Sequence, residues 1–138
     1  MNGAEAAPGV RAGLRYGALA FLAGAVLGPV RELVLAPRIG GLPAALAEAA
    51  GMAALLWLAA RRSVPVAAGW QARAVMAAVA LAVVLLAEAA LTVALDASGL
   101  SATRARRSAA EQAVGLPLLA WMVALPFLPW RRGQERPG

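Results

Sequence analysis

The chain contains no cysteine, no histidine and no lysine, and its aromatic residues amount to four Trp, two Phe and one Tyr in 138 positions. Without Cys or His it lacks the usual ligands of haem, zinc, copper and iron–sulfur centres, so neither a metal site nor a cofactor is expected. Disulfides are excluded, and the absence of cysteine therefore carries no information about compartment. No glycine-rich phosphate loop is present, and a Ser–His–Asp set cannot be assembled without histidine. No catalytic residue is assigned, and an enzyme is not expected.

Charge is also scarce. Charged residues make up 14% of the chain against 62% hydrophobic ones. The apolar residues are mostly Ala, Leu and Val, gathered in long blocks rather than alternating with polar positions as a half-buried strand requires. A barrel is disfavoured on that pattern, and 138 residues leave room for one domain. The expected fold is all-α: an integral membrane four-helix bundle with short loops. All thirteen basic residues are Arg, which with the heavy use of Ala, Gly and Pro suggests a GC-rich bacterial genome. The net charge of +6 would suggest nucleic acid in a soluble protein. Here the arginines flank apolar blocks, where they meet lipid phosphates, so the bilayer is the expected partner and nucleic acid is not.

Residues 1–10, with Pro8 and two Gly, are expected to form a flexible tail, and residues 132–138 a second one. Between them, 11–131 reads as one transmembrane domain with spans at about 15–36, 42–60, 74–95 and 112–130. The basic start before the first apolar run resembles a signal peptide, but no small-x-small site with a polar mature segment comes after it, so a retained helix is expected. Pro37, Arg38, Gly40 and Pro43 punctuate a tight turn before the second span, with Pro43 suited to a first helical turn. Arg61 and Arg62 end that span, and Trp70 sits in the polar loop beyond them. In the long third connection, Thr103 to Gln112 is a candidate short surface helix with Arg107 and Glu111 paired at i, i+4. Eight arginines lie on the side of the two tails and the middle loop, against Arg31, Arg38, Arg104, Arg106 and Arg107 on the other. That bias predicts both termini in the cytoplasm of a bacterial inner membrane.

The embedded charges are the candidate functional residues, because a charge in hydrocarbon costs a few kcal/mol or more and tends to be kept only when paired or used. Arg31 lies about 6 Å from the outer end of span one, Glu48 about 8 Å inside the start of span two, and Glu88 about 10 Å from the outer end of span three. Three helices thus bring charge to similar depth in one leaflet, and a cluster of Arg31, Glu48 and Glu88 is expected. Its carboxylates would fasten helices together or, with charge to spare, carry protons or bind a cation. Glu32 is read with Arg31 at the helix end. Pro29 removes a backbone hydrogen bond just before Arg31 and marks a candidate helix break. Gly17, Ala20, Gly24 and Gly28 form a small-residue stripe suited to close helix contact. Thr92 is read as a packing residue.

The stretch Gly28-Pro29-Val30-Arg31-Glu32-Leu33-Val34-Leu35-Ala36-Pro37-Arg38-Ile39-Gly40, with Glu48 and Trp57 beyond it, resembles a pattern of small uncharacterised four-span bacterial membrane proteins. It covers roughly the first half of the chain and departs from the pattern at Ala50, where a proline would be expected. The resemblance implies no activity. It implies that Arg31, Pro37, Arg38, Gly40 and Glu48 work as a unit.

On these grounds the expected function is a non-catalytic accessory or assembly subunit whose helices pack against a membrane protein partner. The alternative is a small homo-oligomeric transporter or ion or proton conduit using Arg31, Glu48 and Glu88. A lipid-active enzyme is a third reading, with Thr92 the nearest hydroxyl to a carboxylate.

Overall fold

The structure, a computed structural model, describes residues 3–64, 69–99 and 108–130. The first span is built of α1 (Gly3–Val30), a π-helical turn at Arg31–Leu35 and the short α2 (Ala36–Ile39). The second is α3 (Gly41–Ser63) and the third α4 (Gly69–Ala97). The fourth is α5 (Ala109–Ala113), then α6 (Gly115–Ala124) and a 3₁₀ turn at Leu125–Phe127. Every regular element among the described residues is helical, and four helices are long and apolar enough to cross a membrane. The chain is an all-α four-helix bundle.

Successive spans run in opposite directions, so α1 and α4 are parallel, as are α3 and α6. Around the bundle the order is α1, α3, α6, α4, each packed on its two neighbours, with α1 on α4 the most extensive contact. The reason lies in Gly9, Gly13 and Gly17, one turn apart on α1. A Cβ added at Gly9 would stand 2.6 Å from the Ala72 carbonyl oxygen, at Gly13 2.7 Å from Val79 Cβ, and at Gly17 2.8 Å from Val83 Cβ. Only glycine permits that approach, and in lipid, where apolar side chains gain little by leaving the solvent, close backbone packing drives helix association. The expected small-residue stripe is therefore displaced toward the N-terminus. Gly24 and Gly28 face α3 at ordinary distance, with Met52 Cε 3.7 Å and Glu48 Oε1 3.9 Å from the position of an added Cβ.

The same contact corrects the expected N-terminal tail. Helix begins at Gly3, and Gly9 is buried, because α4 starts at Gly69 and supplies a surface for this turn to pack on. The second and third helices also exceed the spans read from hydropathy, α3 reaching Ser63 and α4 running from Gly69 to Ala97, while the fourth is shifted, its helical part covering Ala109–Phe127. At ~1.5 Å per residue α4 is ~43 Å long, more than the ~30 Å hydrocarbon core, so its ends enter the headgroup layers.

The closely packed core sits toward the end of the bundle that holds the α3–α4 connection. Tyr16, Leu56, Ala60, Met76, Met122 and Leu125 are buried there together. The Tyr16 hydroxyl, fully buried, donates to the Met122 carbonyl at 3.1 Å and ties α1 to α6. A phenol kept in an apolar core needs such an acceptor. Replacing it by Phe should cost about 1 kcal/mol, the net value of one hydrogen bond, read as a lowered unfolding midpoint in detergent micelles. An unchanged midpoint would mean the bond contributes nothing. At the same end the Trp57 and Trp130 rings lie 6.0 Å apart, Arg61 sits 5.5 Å over Trp57, and Trp130 Nε1 donates to the Leu125 carbonyl at 3.0 Å. Aromatic rings mixed with arginine suit the membrane interface. Trp121, expected inside the fourth span, donates from Nε1 to the Ala53 carbonyl at 3.3 Å and links α6 to α3.

Candidate functional site

At the opposite end of the bundle one arginine gathers three carboxylates. Pro29 lies inside α1, and directly after it the helix widens into the π turn, where the Ala36 amide bonds back five residues to the Arg31 carbonyl. Proline cannot donate, so the local ladder is already short of one bond, and the added residue per turn rotates the next stretch of helix about its axis. The expected break at Pro29 is thus a change of helical pitch, with the chain remaining helical through Ile39.

Arg31 points into the bundle with 4% of its side chain exposed. Its Nη1 donates to Glu111 Oε2 at 2.9 Å and its Nη2 to Glu32 Oε1 at 3.5 Å. Its Nε lies 3.0 Å from Glu48 Oε2, but the N–H is not aimed at that oxygen, so this contact is one of charge without a directed hydrogen bond. The planar fork of guanidinium, with five donors in fixed directions, is what lets one side chain face carboxylates from three elements. Glu32 comes from the π turn, Glu48 from α3 and Glu111 from α5. The first, second and fourth spans are fastened through one cation.

One glycine makes room for a carboxylate: Gly41 lies under Glu111, whose Oε1 would be 2.5 Å from an added Cβ, whereas a Cβ at Gly28 would meet Glu48 at ordinary contact distance. Gly40 has φ of 90°, a region that L side chains rarely adopt, and this lets α3 start at the next residue. Pro37 continues the helix from the π turn into α2 with its fixed φ but without an N–H to donate, and Pro43 lies in the first turn of α3, where a missing N–H costs nothing. Arg38 is exposed and donates from Nη1 to the Val34 carbonyl at 3.2 Å, bonding an oxygen of the π turn without joining the cluster. Gly41→Ala should push the Glu111 carboxylate off Arg31 and cost about 1–2 kcal/mol, measured as the fall in unfolding midpoint in micelles. A Gly41→Ala variant as stable as the parent would show that Glu111 adds nothing to the fastening.

Glu111 is held for this role by its own helix start. Ser108 caps α5: its hydroxyl accepts from the Glu111 amide and donates to Glu111 Oε1, both at 3.2 Å. The first bond is the N-cap half of a capping box, whose sequence signature Ser108-x-x-Glu111 is present; the second runs from the Ser108 hydroxyl instead of its backbone N–H. That signature was the available signal for Glu111, obscured by the expected pairing with Arg107, which lies outside the described residues. The short surface helix expected over Thr103 to Gln112 is described only from Ala109.

Glu88 does not join Arg31, which corrects the expected cluster. It is exposed on α4, and among the described residues it makes no ion pair. Depth explains the difference. Gly17 lies against Ala80 and Val83, and carrying this register along the two parallel helices sets Arg31 level with the last turn of α4, near Asp96. Glu88 is then about two turns, ~10 Å, nearer the membrane centre. It also lies off the inward line of Ala80, Val84, Ala87 and Leu91. Thr92, one turn on, is exposed, and its hydroxyl donates to the Glu88 carbonyl oxygen at 2.9 Å, leaving the carboxylate untouched.

Searched against known proteins, the chain matches no family model, no curated protein and no solved structure. The class is set by the fold: four long apolar helices fit a multi-pass membrane protein.

Proposed function

We propose that the chain is a non-catalytic accessory or assembly subunit of a complex in a bacterial inner membrane, with both termini in the cytoplasm, and that α4 is the helix it offers to its partner. The observation that carries this reading is Glu88, an exposed carboxylate deep in a membrane-spanning helix with no ion partner among the described residues. Lipid tails cover exposed leucine and valine at no cost, but they offer a carboxylate nothing. A second protein is the remedy that suits a chain without catalytic side chains. The Arg31 cluster supports the same reading, since all three of its carboxylates face Arg31 and two of them, Glu48 and Glu111, join other spans to it.

The conduit reading needs polar residues along a path through the bundle. The end opposite Arg31 is filled by Tyr16, Leu56, Met76, Met122 and Leu125, whose one hydroxyl is already bonded, and this counts against a water path there. The experiment is mild-detergent affinity purification of the full chain from its native membrane, with the bound proteins counted by mass spectrometry. A single partner in stoichiometric amount is the expected result. Recovery of the chain alone, as a defined oligomer, would overturn the subunit reading and favour the conduit.

A further inference from the structure

Resting on the subunit reading, we infer that the face of α4 formed by Leu85, Glu88, Thr92 and Asp96 docks a membrane-spanning helix of another protein that carries an arginine or lysine at the depth of Glu88. The four residues succeed one another at intervals of three and four, so they form one stripe on the helix, and all four are exposed. The stripe runs from the hydrocarbon interior to the membrane surface. Leu86 and Val93 flank it with 71% and 68% exposure, so this half of α4 presents a broad uncovered surface.

Charge decides what covers it. Glu88 lies ~12 Å along the helix from Asp96, too deep for a short carboxylate to reach the headgroups as a lysine or arginine does by snorkelling. The neighbouring hydroxyl of Thr92 is committed to a backbone oxygen. Arg31 is shared among three other carboxylates in a higher layer. A second copy of this chain is a poor occupant. A two-fold contact on this face would set Glu88 and Asp96 against the same acidic stripe, and α4 carries no base in that half, its one arginine being Arg73 near the opposite end. A basic side chain on a partner helix, one or two turns below the membrane surface, complements the stripe in charge and in depth, and the pairing would be fully desolvated.

The test places a photo-crosslinking amino acid at Leu85 in the full chain, expressed in its native membrane, with a control at Val26, an exposed position on α1. The expected result is a light-dependent adduct from position 85 and none from 26, joined to a partner peptide within one helical turn of an arginine or lysine. Glu88→Arg should reduce that adduct at least 10-fold, Glu88→Gln by less, and exchanging the partner's base for Glu should restore it to the Glu88→Arg chain. Both variants should keep the parent's helical circular dichroism, which separates lost docking from lost folding. An adduct of twice the chain's mass, an adduct to residues 100–107 of the same chain, labelling of lipid alone, or a partner adduct indifferent to Glu88→Arg would each overturn the inference. If affinity purification of Glu88→Arg still retains the stoichiometric partner, the subunit reading stands and the charge pairing falls. If the parent chain purifies alone, the subunit reading itself has failed.

Discussion

Arg31→Leu should destabilise the bundle by about 3 kcal/mol, the lower part of the range for removing one partner of a buried ion pair. The lower part applies because Glu32, Glu48 and Glu111 each keep about a fifth of their side chains exposed, at 22%, 21% and 16%. With the guanidinium gone, three carboxylates from three elements would face one another with no cation between them. The first, second and fourth spans would separate at that end. Arg31→Lys should recover only part of the loss, because an ammonium is a point charge and cannot present donors along three fixed directions. The fourfold variant with Arg31→Leu, Glu32→Gln, Glu48→Gln and Glu111→Gln should regain most of it, since the cost of the single change is the stranding of charge. Unfolding midpoints in micelles, read by circular dichroism, decide the matter. If Arg31→Leu melts like the parent, the cluster is an incidental feature of the helix ends.

A comparable effect is expected where there is no charge at all. Gly13→Leu should cost more than about 3 kcal/mol, beyond the usual 1–3 kcal/mol for overpacking, because the atoms in the way include backbone. A Cβ at this position would lie 2.8 Å from the Met76 carbonyl oxygen and 3.0 Å from Val79 Cγ1, and three further carbons would extend beyond it. Val79 has no long flexible end to swing aside, and Gly9 and Gly17 hold the helices equally close one turn to either side. The pair would have to part along its length. Gly24→Ala is the contrasting control, since its nearest neighbour is the mobile end of Met52 at 3.7 Å, and it should shift stability by less than about 0.5 kcal/mol. Equal effects at the two positions would mean that the α1–α4 contact contributes nothing special to stability.

How much of this was legible in the sequence differs by residue. The spans were readable because an apolar run of about 20 residues has few alternatives to a membrane helix. The turn through Pro37, Gly40 and Pro43 was readable because those residues restrict their own backbone. Arg31 and Glu48 were singled out by depth, and they stand 3.0 Å apart. Glu88 had a similar depth by counting from its span's apparent end, but α4 extends to Ala97 and is set against α1 by glycines. Counting residues in one helix cannot show that offset. Glu111 was hidden because a residue at a span's edge looks like surface until Ser108 and Gly41 are seen to hold it over Arg31. The first ten residues looked like a tail because a Gly- and Pro-containing segment has no strong preference of its own, and the surface of α4 is what the helix from Gly3 onward packs on.

By itself the amino-acid sequence determined the class of this protein, the number of its spans, the turns between the first two and the residues whose charge must be satisfied in lipid. These depend on transfer energies and on backbone limits that each segment carries within itself. Tertiary structure alone decided which glycines touch, that Glu111 and not Glu88 completes the set around Arg31, and that Glu88 faces outward. Those outcomes depend on the rotation and relative height of whole helices. In a bundle rich in alanine, glycine and leucine many such settings are nearly equal for any single helix, and they are resolved only when all four pack at once.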